Sequence, residues 1–222
     1  FMYIRMFVLI VVSFYTSRIV LQQLGVEDYG IYNLVGSIVA MFNSLRTIFA
    51  SSTQRYLNYE MGLGNNTNLP LVFNLSIYIN IIIALVFIIA VELLGLWFFE
   101  YKINIPHDRI QPAFIVFQCS LLIATISIIT SVFDAVIIAH ERMDFYAILA
   151  IIESFLKLGI AYLLSRAPID RLIFYGLLLL GVSIIILTVN LIYCKWHFSE
   201  VKLRLVWDKE YFKKMTQFAG WN

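Results

Sequence analysis

The sequence predicts an all-α bundle of membrane-crossing helices, and three observations carry that expectation. Hydrophobic residues make up 61% of the 222 positions, against roughly 45–50% in soluble globular domains. Charged residues are 14% where about 25% is usual, and the mean hydropathy is +0.86. The apolar residues also fall in runs of about 20, the length that crosses a ~30 Å hydrocarbon core as a helix.

In chain order the expected spans are about Tyr3 to Leu21, Ile31 to Ser52, Val72 to Trp97, Ala113 to Ile138, Phe145 to Leu164 and Leu172 to Tyr193. The first lacks a small-residue cleavage site and is followed by further spans, so it reads as an anchor and not a signal peptide. Leu24 to Gly30 is a tight connection in which Gly25 and Gly30 bracket Glu27 and Asp28. The second span carries Asn33, Gly36, Ser37, Asn43, Ser44, Arg46 and Thr47. Small and polar residues suit close helix contact, which marks it as an inner helix. A polar loop from Asn58 to Pro70 follows; the third span is isoleucine-rich, expected to face lipid, and ends at Trp97 in an aromatic belt. Pro106 and Pro112 punctuate the loop from Glu100 to Pro112. His140 to Asp144 forms a short turn, and Arg166 to Arg171 closes the fifth span. A charged segment, Lys195 to Lys214, leads into the start of a seventh span. With Phe1 at one end and Asn222 inside an apolar stretch at the other, the chain is expected to be part of a longer protein.

Lysine and arginine in short loops set orientation. Arg55, Arg142, Lys195, Lys202, Arg204, Lys209, Lys213 and Lys214 gather on one side, and Lys102, Arg109, Arg166 and Arg171 on the other, so the N-terminus is expected inside. Cys119 and Cys194 are too few for a disulfide framework and are expected to be buried thiols near opposite faces. No basic, aromatic-interleaved surface suits a nucleic acid. No phosphate-cradling loop, metal motif or activated nucleophile marks an enzyme, and no cofactor is implied.

Charges inside such spans are costly, at least ~2.5–3.5 kcal/mol at the bilayer centre, so they face cavities or partners. Arg18, near the outer end of the first span, either snorkels to the headgroups or faces a cavity. Arg46 lies about two turns inside the second span, too deep to snorkel easily, and is expected to face a cleft. Arg55, nine residues on, falls on another face, at the cytoplasmic mouth. Glu153 and Lys157 form an i, i+4 pair with the acid first, the favourable order. It serves either as mutual neutralisation or as a titratable pair on a pathway. Asp134 is expected to pair with Arg55 or Arg46, or to serve as an ion site, and Glu92 is an outer-face alternative.

Several blocks resemble one family. Tyr15-Thr16-Ser17-Arg18 with Leu24-Gly25-Val26-Glu27-Asp28-Tyr29-Gly30-Ile31-Tyr32-Asn33 is similar to the first hairpin of lipopolysaccharide and polysaccharide biosynthesis flippases. Ile138-Ala139-His140-Glu141-Arg142-Met143, and Trp207-Asp208-Lys209-Glu210 with Phe218-Ala219-Gly220-Trp221-Asn222, agree in order and spacing. The family lies in the multidrug/oligosaccharidyl-lipid/polysaccharide exporter superfamily. The resemblance implies one six-helix lobe of a two-lobe exporter (residues 1–194), a cytoplasmic inter-lobe linker (195–214) and the start of the second lobe (215–222). It implies alternating-access transfer of undecaprenyl-pyrophosphate-linked oligosaccharide, an O-antigen-type substrate, across a bacterial inner membrane, with polysaccharide polymerase machinery as a neighbour. One departure is Val132-Phe133-Asp134-Ala135, where the family pattern leads one to expect Pro-Tyr-Asn-Ala.

The chemistry agrees with that implication. Arginines are planar, permanently charged partners for a pyrophosphate head, and Arg18, Arg46 and Arg55 fill that role, with Asn33, Asn43 and Ser44 for sugar hydroxyls. A multidrug exporter of the same superfamily is the near alternative and should favour inner acids. A membrane polysaccharide polymerase or ligase is the more distant one and should show a large outer loop.

Overall fold

In the computed structural model, the described residues are 2–40, 43–63, 68–101 and 106–201. Side chains at 2, 4, 38, 43–49, 100, 101 and 107 lie outside the description. The segment expected to form the inter-lobe linker and a seventh span lies outside it from residue 202 onward.

All the regular structure described is helical: α1 (Met2–Ala40), α2 (Asn43–Gly62), α3 (Leu69–Tyr101), α4 (His107–Ala139), α5 (Met143–Leu163), a 3-10 turn (Leu164–Arg166) and α6 (Arg171–His197). Five of these helices, α1 and α3 to α6, contain stretches long and apolar enough to cross a membrane. The expected tight connection after the first span is shorter than the sequence suggests. Only Gly25 leaves helical geometry, at φ 84° and ψ 170°, a region open almost exclusively to glycine. It divides α1 into arms 2–24 and 26–40.

Two contacts set the first arm beside α5, running the same way, and a third ties its end to the first residue of α6. Arg5 lies over the Tyr146 ring, 4.9 Å from its centroid; Tyr162 donates to the Tyr15 hydroxyl at 3.1 Å; Arg171 donates to the Gln23 carbonyl at 2.8 Å. That carbonyl is among the last four before the break, which have no intrahelical donor. The second arm turns back along α6, where Tyr32 meets Tyr175 edge-on at 5.0 Å. The expected span from Ile31 to Ser52 is thus helical on both sides of residues 41–42, in α1 and α2.

Two apolar cores hold the ends of the bundle. At the Gly25 end, Val20, Val35, Val91, Val116, Phe117 and Leu172 are fully buried. At the His140 end, Leu57, Val72, Phe73, Val136, Ile137 and Cys194 are. The outer face of α3 (Ile82, Leu85, Val86, Ile89, Leu93) is exposed, as a lipid-facing helix requires. α4 packs against every other helix and runs unbroken through Val132–Ala135, where the sequence departs from the family pattern. Cys119 and Cys194 are buried free thiols.

Candidate functional site

A cavity of about 470 Å³ opens between the second arm of α1, α4, α5 and α6. Its polar wall follows from helical spacing. On α4, Ser120, Ser127, Thr130 and Asp134 recur at seven, three and four residues; on α6, Gly176, Ser183 and Asn190 recur at seven. Each series therefore keeps to one helix face. Gly176 allows close approach, since a Cβ there would meet Val116 at 3.3 Å.

Thr130 and Ser183 donate their hydroxyl protons to carbonyls of their own helices, Ile126 at 2.8 Å and Leu179 at 3.1 Å. Such bonds satisfy the hydroxyl proton inside an apolar bundle and leave oxygen lone pairs for other partners. Asn190, 1% exposed, donates to Asp134 Oδ1 at 3.5 Å. Across the cavity Glu153 and Lys157 form the expected pair, Nζ to Oε1 at 2.7 Å, with side chains 36% and 46% exposed. Exposure of that order keeps the pair weak as a stabilising contact and open to a ligand.

Of the residues singled out from sequence, Asp134, Glu153 and Lys157 come together on this cavity. Arg18 is exposed on the first arm of α1, away from it, and Arg55 is exposed on α2. Asn33 is also exposed, and its amide donates one proton to its own helix at Tyr29 O, 2.9 Å, leaving a second N–H and the side-chain carbonyl. The side chains of Asn43, Ser44 and Arg46 lie outside the described residues.

Two polar clusters were not anticipated. At the Gly25 end, Arg109 reaches Asp170 Oδ2 at 2.6 Å and Asp28 Oδ1 at 3.4 Å. Asp170 also caps α6, its Oδ1 accepting from Leu172 N at 3.0 Å. At the other end His140 pairs with Glu200 and stacks on Phe198 at 4.2 Å, while Tyr193 stacks between Phe145 and His197. No group of three or more metal-ligating side chains occurs among the described residues. Comparison with family models, curated proteins and solved structures finds no match.

Proposed function

We propose that the chain is the N-terminal six-helix lobe of a flippase that moves undecaprenyl-pyrophosphate-linked oligosaccharide from the cytoplasmic to the periplasmic leaflet of a bacterial inner membrane. The observation that carries this reading is the polar cavity with its Glu153–Lys157 pair inside a bundle of apolar helices. Ionisable groups placed there are expensive and mark pathways for polar cargo. On this reading the second arm of α1 with α2 supplies the sixth crossing, and Lys157 meets the anionic head while the lipid tail stays in the bilayer. The sequence blocks resembling polysaccharide flippases add support.

One observation favours the multidrug-exporter reading. Among the described charged residues of the cavity, the acids Asp134 and Glu153 outnumber the single cation Lys157. That balance suits a cationic cargo better than an anionic one. Reconstitution in vesicles separates the two. Transfer of a lipid-linked oligosaccharide between leaflets, lost in Lys157→Met, supports the flippase. Uptake of a lipophilic cation without lipid transfer, lost in Glu153→Gln, replaces it with the exporter.

A further inference from the structure

The parallel register of α1 and α5 has a consequence at the membrane-facing surface. Tyr15 meets Tyr162 and Gln23 meets Arg171, offsets of 147 and 148 residues. Arg18 on one helix and Arg166 on the 3-10 turn of the other therefore lie at neighbouring levels. Each is about one turn beyond the tyrosine bridge, toward the Gly25 end. Both are exposed, and no carboxylate among the described residues pairs with either. Tyr15 accepts the bond from Tyr162, which leaves its own proton to donate.

Immediately below Arg18, away from the Gly25 end, α1 carries a shallow groove of about 400 Å³ lined by Leu9, Ile10, Ser13, Phe14 and Ser17. Phe14, at one edge of the groove, precedes Arg18 by one turn, so the guanidinium stands over that edge. Two cations at neighbouring levels, one of them at the edge of an apolar groove, match an amphiphile whose head is anionic. We propose that Arg18 and Arg166 hold the phosphate of an anionic bilayer phospholipid, with an acyl chain in the α1 groove. Arginine suits phosphate because its planar fork makes paired charge-assisted bonds. This site lies apart from the α4–α6 cavity and rests on the membrane-crossing character of the helices, not on what is transported.

Native mass spectrometry of the detergent-solubilised protein, titrated with phosphatidylglycerol, tests it. The wild type should retain one phosphatidylglycerol that the Arg18→Gln, Arg166→Gln double variant binds at least about tenfold more weakly. Arg18→Lys with Arg166→Lys should bind at an intermediate level. Ser13→Trp, which fills the groove and leaves both arginines, should also weaken retention. The melting temperature of each variant reports folding; all three positions are on the surface, so it should stay near the wild-type value. Equal retention by wild type and the double glutamine variant overturns the site. If a polyprenyl phosphate displaces phosphatidylglycerol from the arginines at equal concentration, the bilayer-lipid assignment falls and the cargo takes its place. Equal retention by wild type and the double glutamine variant leaves vesicle transport through the cavity to its own test.

Discussion

The guanidinium of Arg109 sits 2.6 Å from the carboxylate of Asp170, a residue 61 positions further along the chain. The same guanidinium contacts Asp28 at 3.4 Å, so one cation joins the α1 break, the start of α4 and the cap of α6.

Removing that cation should therefore loosen three helices at once. Arg109→Met leaves the buried Asp28 without its counter-ion, which should lower stability by about 2 kcal/mol. That is less than for a fully buried pair because Arg109 is partly in solvent. Adding Asp28→Asn should recover part of the loss by removing the uncompensated charge. Thermal unfolding in detergent checks both, and an unchanged midpoint for Arg109→Met refutes the account.

Gly25 and Gly30 make a matched pair. Gly25→Ala forces a side chain into backbone geometry that only glycine tolerates, at a cost of order 1–3 kcal/mol. Gly30 lies in ordinary helix with nothing within 4 Å of a built Cβ, so Gly30→Ala should be neutral or slightly stabilising. Equal effects at the two positions would remove the argument that the break depends on backbone conformation.

Gly95 faces the ring of Phe117, which a Cβ would approach to 2.2 Å. Phe117 is fully buried and its ring packs against those of Phe99 and Phe114, so it has little room to yield. Gly95→Ala should destabilise by about 1–3 kcal/mol through overpacking. Phe117→Leu in the same chain should relieve part of it, measured as non-additivity of the two unfolding shifts.

The Glu153–Lys157 pair lies on the cavity wall, and its partial exposure makes it dispensable for folding. The double replacement Glu153→Gln, Lys157→Met should leave membrane protein level and melting temperature unchanged while abolishing transport in vesicles. Normal transport by the double variant would take the pair out of the mechanism and leave it as mutual neutralisation.

Much of the helical layout was legible because apolar run length and short polar turns act locally. The Glu153–Lys157 contact was legible for the same reason, as an i, i+4 relationship needs no tertiary knowledge. Asn190 went unnoticed because a lone asparagine in an aliphatic run has no local mark; its seven-residue spacing from Ser183 and Gly176 was the available signal. Arg109 and Asp170 read only as loop charges, since their meeting depends on how α4 and α6 pack. Which way Arg18 and Asn33 face was not legible, because helical phase relative to the bundle axis cannot be fixed from one helix alone; both are exposed on α1.

α4 has more than half of its most apolar stretch buried, where the corresponding stretches of the other four long helices have under a third. During synthesis, however, it emerges before α5 and α6, the helices that cover its Ser127, Thr130 and Asp134 face. Until α6 follows with Asn190, that face must wait beside the translocation machinery or the helices already made. Release into open lipid would strand polar side chains in hydrocarbon. Biogenesis of this bundle is therefore expected to proceed by delayed joint release of α4 to α6, and truncation ahead of Arg171 should leave α4 a substrate for membrane quality control.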